Sequence, residues 1–165
     1  MYRVCVATVD ATRARLFTLE RTMEADATRE RLTEHTDLVN PARRRPGGLF
    51  SDTRSGTNRT GGLQYTFDDH RDAHIDSLDA EFGRAVVAEL RRLLEAAPAQ
   101  RLIVCATPRM LGELRSAGVP RRDGMVVDEL ARDLVELRAA DLRDRLAAYG
   151  LLPARPPRAV LARGV

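Results

Sequence analysis

The sequence predicts an α/β domain, a mixed sheet of about five strands with helices packed against its faces. Three observations carry this. An apolar, β-branched run opens the chain and is followed after a turn by a second one. A long amphipathic stripe occupies residues 76–97. A short, continuous apolar run at 101–106 follows it at once, as expected of a strand covered on both faces. A chain of 165 residues fits one domain and buries a sizeable core without disulfides or metal.

Taken in order, YRVCVATV at 2–9 reads as a buried strand, Asp10-Ala11-Thr12 as a turn, and RARLFTL at 13–19 as a second strand with Ala14, Leu16 and Thr18 on one face. A polar, acidic stretch covers 20–30. Residues 31–39, RLTEHTDLV, form a third strand in which Leu32, His35 and Leu38 do not alternate cleanly, so a bulge or bend is expected there. From Asn40-Pro41 to about Gln64 periodicity vanishes, and the helical stripe resumes with Leu78, Phe82, Val86, Leu90, Leu93 and Ala97. Acidic first turns and Arg91-Arg92 further on suit the helix dipole, and Pro98 stops the helix. Thr107-Pro108 supplies an N-cap and a first-turn proline for a helix ending near Gly118. Met125–Val127 reads as a last short strand, and 139–148 as a short amphipathic helix with Gly150 at its C-terminal cap. Residues 1–152 are thus expected to form one domain with a long loop at 41–72. The Pro- and Arg-rich tail at 153–165 is expected to be poorly ordered.

Composition bounds the function. Hydrophobic residues make up 44% of the chain and charged residues 31%, the balance of a globular protein. Trp is absent and aromatics are 4%, so the core is aliphatic and there is little with which to stack nucleobases. All 27 basic residues are Arg, whose planar fork suits phosphate and carboxylate. Because the net charge is only +3, attraction for nucleic acid has to come from local clustering. Cys5 and Cys105 sit inside apolar runs and read as small core residues. A strand pattern from Tyr2 onward leads to the expectation of no signal peptide, and no run approaches the roughly 20 residues that span a bilayer, so a cytoplasmic protein with no membrane partner is expected.

The loop carries the strongest chemical signal. Arg43, Arg44, Arg45, Arg54 and Arg59 face a single acid, Asp52, among residues 41–64, and Gly47, Gly48, Gly56, Gly61 and Gly62 expose main-chain amides. Such a segment can grip phosphate oxygens. The same composition also suits a solvated segment whose Arg residues keep it soluble, and composition leaves both open. His70 and His74 stand four apart beside several Asp residues, a spacing that reaches one metal if the helix starts early, but no third ligand has motif spacing. Asp128, Glu129 and Asp133 are expected just past the last strand, either as a carboxylate cluster or as helix-entry charges. A Gly-x-Ser-x-Gly elbow is absent, the lack of Lys excludes a P-loop, and no dinucleotide fingerprint follows the first strand, so no cofactor is expected.

Several segments in this order resemble a known family: VATVDATRARLFTLE, LTEHTDLVNPARR, DDHRDAHIDSLDAEFGRAVVAEL, LIVCATPRMLGELR and VVDELARDLVELRAADLRDRL. Together they are similar to the bacterial host-attachment proteins, described as required for attachment to host cells, over about residues 2–148. That family resembles in turn the middle domain of the archaeal and eukaryotic peptide-chain release factor. The resemblance implies a ribonuclease-H-like fold and a basic, Gly-rich loop before a long helix. In the release factor that loop carries Gly-Gly-Gln into the peptidyl-transferase centre. Here Gly61-Gly62-Leu63-Gln64 stands in the corresponding place, with Leu63 displacing Gln64 by one residue. Such a site works by positioning within RNA, and a one-residue shift weakens that positioning. The resemblance therefore implies a protein that binds the ribosome, rRNA or tRNA through Arg43, Arg44, Arg45, Arg54 and Arg59. Hydrolysis of peptidyl-tRNA by Gly61, Gly62 and Gln64 is the lesser expectation. The alternative is a module with a protein partner that serves attachment indirectly.

Overall fold

A computed structural model of the chain describes residues 1–24, 27–44 and 66–155. Strand β1 (Tyr2–Val9) turns through Asp10 into β2 (Arg13–Glu24). The aspartate makes that turn: its Oδ1 accepts from the amides of Thr12 and Arg13 at 2.7 Å each and from the Thr12 hydroxyl at 2.8 Å. The return strand β3 (Ala27–Val39) ends at Asn40, whose amide donates to the Thr12 carbonyl at 2.8 Å and whose Nδ2 donates to Ala11 at 2.9 Å. Three strand ends are therefore stitched together at one point.

The β2–β3 hairpin is longer than the sequence predicts. Residues 20–24 and 27–30, read as a polar connection, are its distal arms. Charge and not apolar alternation holds them: Arg21 lies opposite Glu30 in the register and donates to its carboxylate. The irregularity expected around His35 is present. Leu16 pairs with Thr36 and Phe17 with Glu34, which leaves His35 as the extra residue of a bulge, its Nε2 2.7 Å from the Thr18 hydroxyl.

Beyond β3 lie a short helix α1 (Pro41–Arg44) and the 31-residue α2 (Thr66–Ala96). The expected loop at 41–72 is therefore helical at 41–44 and at 66–72. Periodicity failed to reveal the start of α2 because residues 71–74 are exposed and have no apolar face to keep. Strand β4 (Arg101–Ala106), helix α3 (Pro108–Ala117), strand β5 (Val126–Leu130) and helix α4 (Ala139–Ala148) complete the order. Thr107 caps α3 by accepting from the Met110 amide, and Gly118 closes it at φ +89°, a conformation that favours glycine. Gly150, at φ +72°, follows the capping residue Tyr149 after α4.

The sheet order is β3-β2-β1-β4-β5, with β1 antiparallel to β2 and parallel to β4, and β4 parallel to β5. Only β2 runs against the others, the arrangement of a ribonuclease-H-like sheet. Alternate side chains feed two cores. On one face Cys5, Ala7, Leu16, Leu102 and Val104 pack under Val86, Leu90 and Leu94 of α2 and Met110 and Leu114 of α3. On the other, Val4, Val6, Phe17, Leu19, Ile103 and Cys105 meet Leu142 and Leu146 of α4. At Gly83 a Cβ would come within 3.2 Å of the Glu113 Cβ, so glycine lets α2 and α3 approach closely. Burial pushes both thiols up to about 12, which keeps Cys5 and Cys105 protonated and inert as core residues.

Arg15 locks the second face. It forks onto Glu34 at 2.8 Å, donates to the carbonyls of Val135 and Leu137 at 2.9 and 2.7 Å, and lies 4.9 Å from the Phe17 ring centroid. The hydrogen bonds from Arg15 hold the Glu34 carboxyl below its usual range. Burial pushes Glu30 up, but hydrogen bonds from Arg143 and Arg21 outweigh it and the net direction is down.

Replacing the fully buried Leu90 by Ala is expected to cost about 2–5 kcal/mol in urea unfolding. Glu30 and Glu34 have lower pKa values folded than unfolded. Their stabilisation is complete above the ordinary glutamate range, about 4.3, and is lost as pH falls through the folded-state values. Urea midpoints measured from pH 6 down to pH 3 should therefore fall below that range, and fall less steeply in Glu34→Gln.

Candidate functional site at the carboxyl edge of the sheet

The carboxyl ends of β1, β3 and β4 lie along one edge of the sheet, where ligand sites of open α/β folds sit. Helix α1 follows β3 at this edge, and residues 45–65, which separate it from α2 in sequence, lie outside the described residues.

One buried carboxylate organises the edge. Asp79 of α2 has no exposed side-chain surface. Arg43 of α1 donates from Nη2 to both its oxygens, at 2.8 and 3.0 Å, and from Nε at 3.3 Å. From α3, Arg109 approaches the same carboxylate through Nε at 2.9 Å and also pairs with Asp76. Two guanidiniums compensate the loss of hydration that would otherwise make a buried carboxylate unfavourable. Helices from three parts of the chain are thereby fixed on one group.

Beside this anchor is an open cleft of about 490 Å³ lined by Thr12, Arg13, Asp37, Val39 and Arg43. Arg13 forks onto Asp37 with two 2.8 Å contacts, and Glu136 lies 3.7 Å away. The hydrogen bond to Asp37 raises the Arg13 pKa above the usual guanidinium value, so this cation stays charged at every accessible pH.

Of the Arg residues expected to grip an anion, Arg43 is committed to Asp79 and acts as the anchor of the segment. Arg44 ends α1; its side chain, together with Arg45, Arg54, Arg59, Gly61, Gly62 and Gln64, lies outside the described residues. His70 and His74 fall four apart on α2, as an early helix start requires. His74 is exposed, the His70 side chain lies outside the described part, and no group of three metal-ligand residues occurs among the described residues. Asp128 and Glu129 are not past the last strand but within β5. They face Arg101 at 2.6 Å and Arg115 at 2.6 Å respectively, so they are strand-face ion pairs and not a free carboxylate cluster. Asp133 accepts from the Val135 amide at 3.2 Å and shapes the turn before α4.

Asp79 and Arg109 were missed from the sequence, although one signal was present. Asp79 stands three residues before Phe82 and seven before Val86, on the buried stripe of its helix. A charged residue in that position requires partners brought from elsewhere in the chain.

A family model described as "Protein required for attachment to host cells" matches residues 5–146. No curated protein matches the chain. Among solved structures, the chain is similar to two of an Aquifex aeolicus PPX-GPPA enzyme, one of them a type II variant of the Ppx/GppA phosphatase. Each is 15% identical, covering 78% and 79% of this chain, with TM-scores of 0.32 and 0.34. The chain spans about a third of the length of those proteins, 36% in each case.

Arg43→Ala leaves Asp79 buried with one partner and is expected to cost about 1–3 kcal/mol in chemical denaturation. Arg92→Ala, which breaks an exposed pair with Glu89 on the same helix, should stay within about 0.5 kcal/mol. Equal losses in the two variants would contradict the anchoring role.

Proposed function

The chain belongs to the family of proteins required for attachment to host cells, and from that premise we propose that it serves attachment indirectly, from the cytoplasm, by binding ribosomal or transfer RNA through the Arg- and Gly-rich segment between α1 and α2.

The observation that carries this reading is the reach of α2. Asp79 sits level with the sheet edge, tied to the residues that follow β3 and β4. Thirteen residues of α2 precede it, a length of about 20 Å, and residues 71–74, 76 and 77 among them are exposed. The first residue of α2 is therefore about 20 Å along the helix from the Asp79 anchor, and Arg43 ties α1 to that same anchor.

Charge supports the same reading. Elsewhere in the described structure Arg is largely matched by acid: Arg3 with Glu20, Arg13 with Asp37, Arg15 with Glu34, Arg101 with Asp128, Arg115 with Glu129. Between 45 and 65 the sequence has Arg45, Arg54 and Arg59 against Asp52 alone, with five glycines to admit phosphate oxygens to the backbone. Arg44 adjoins them. Gly61, Gly62 and Gln64 stand near the helix start, where a peptidyl-tRNA ester would be met if the release-factor likeness extends to chemistry. The intervening Leu63 favours binding without hydrolysis. The family description itself favours a second reading, a protein partner on the attachment pathway bound by the same segment.

Salt separates the two. Four Arg–phosphate contacts predict roughly a 100-fold loss of ribosome affinity between about 50 and 200 mM salt, and an apolar protein interface predicts little change. Co-sedimentation with bacterial ribosomes across that series should show the loss, and a variant with Arg44, Arg45, Arg54 and Arg59 changed to Ala should not sediment. Absence of binding at 50 mM salt would overturn the RNA reading and leave the protein-partner one. Given binding, release of peptide from peptidyl-tRNA that is abolished by Gln64→Ala would add catalysis.

A further inference from the structure

On the face of the sheet away from α2, a second open cleft of about 410 Å³ lies between the β2–β3 hairpin and the start of α4. Leu19, Leu32, Ala139 and Ala140 give it aliphatic walls, and Arg143, Arg155 and Glu30 its charged ones. Its electrostatics are unbalanced. Arg143, with its side chain only 4% exposed, donates from Nε and Nη2 to Glu30 at 3.0 and 2.9 Å, and from Nη2 to the Pro153 carbonyl at 2.8 Å. Its Nη1 is buried and has no hydrogen-bond partner among the described residues. A guanidinium nitrogen left that way costs free energy unless something else accepts its protons. Glu30 cannot supply the missing charge, because it already serves Arg21 as well as Arg143.

The beginning of α4 adds to the imbalance. Ala139 and Ala140 are its first two residues, the preceding Arg138 makes no side-chain cap, and the amides of a first turn are left for an outside acceptor. Asp141, the acid of that turn, is held by Arg138 at 2.9 Å, and Arg155, at the mouth, pairs with Asp144 at 3.0 Å. A buried, under-satisfied cation, an uncapped helix start and aliphatic walls thus meet in one cleft. None of its lining residues is aromatic, so it offers no stacking surface for a base.

We propose that this cleft binds a small aliphatic carboxylate, with the anionic head on Arg143 and the first amides of α4 and the hydrocarbon part along Leu19 and Leu32. The site lies on the opposite layer from α1 and α2 and is independent of RNA binding.

Titration of the full chain with hexanoate, followed by amide NMR shifts, tests this. Hexanoate should move the signals of Ala139, Ala140 and Arg143 saturably, with a Kd on the order of 1 mM for so small a ligand. Hexanol and inorganic phosphate at equal concentration and ionic strength should bind at least tenfold more weakly. Ala140→Phe, made at an exposed position, should fill the cleft and weaken hexanoate at least tenfold without disturbing the Glu30–Arg143 pair. Arg143→Gln should do the same through the head group if it folds. No saturable shift would overturn the proposal, as would hexanoate binding unchanged in Ala140→Phe. Equal binding of hexanol would remove the role of the cation, and equal binding of phosphate the role of the aliphatic walls; either result overturns it.

Discussion

A carboxylate with no contact with solvent sets the geometry of one edge of this protein. Asp79 lies on the buried stripe of α2, where its neighbours in the helical repeat are Phe82 and Val86. An ionised carboxyl there is tolerable only with compensating charge, and Arg43 and Arg109 provide it from α1 and α3. The consequence is positional. The short helix that follows β3, the helix that follows β4 and the long helix between them are tied to one another at this edge, and α1 ends at Arg44, where the segment to Tyr65 begins.

The same chemistry recurs throughout the fold, in a chain whose basic residues are all Arg. A guanidinium can reach two or three acceptors, so one side chain can join strand to strand and strand to loop, as Arg15 does by binding Glu34, Val135 and Leu137 together. The aliphatic cores on either side of the sheet supply the bulk of the stabilisation, and the Arg network fixes how the outer pieces are set on them. Where a guanidinium nitrogen has no partner among the described residues, at Arg143, the fold has an unmet electrostatic demand beside a cleft with aliphatic and charged walls. Between 45 and 65 the sequence sets Arg45, Arg54 and Arg59 against Asp52 alone, the charge we propose for an outside partner.

Much of the fold was legible in the sequence because burial enforces periodicity. β1, β4, the apolar stripe of α2 from Leu78 onward, the Thr107-Pro108 start of α3 and the span of α4 all follow from it. So does the bulge, since Leu32, His35 and Leu38 break the alternation where His35 is inserted. Periodicity gave no warning where no core is contacted. The distal hairpin arms at 20–24 and 27–30 carry the cross-strand pair Arg21–Glu30, and residues 71–74 of α2 are exposed. The proposed RNA-binding segment rests on composition alone, Arg and Gly against one Asp. Its anchor was not, because pairing Arg43 with Asp79 and Arg109 depends on strand order, which no local pattern encodes. For the same reason Asp128 and Glu129 looked like a cluster and proved to be two separate ion pairs.

The central claim is that residues 45–65, which follow the Arg43–Asp79 anchor in sequence, meet RNA. Photo-crosslinking tests it most directly. A benzophenone side chain placed at position 55 in one protein, and at the exposed Tyr149 beyond α4 in another, would be irradiated in the presence of ribosomes at low salt. The account predicts crosslinks to RNA from position 55 and none from position 149. Crosslinks from position 55 to protein only, or equal yields from the two positions, would contradict it.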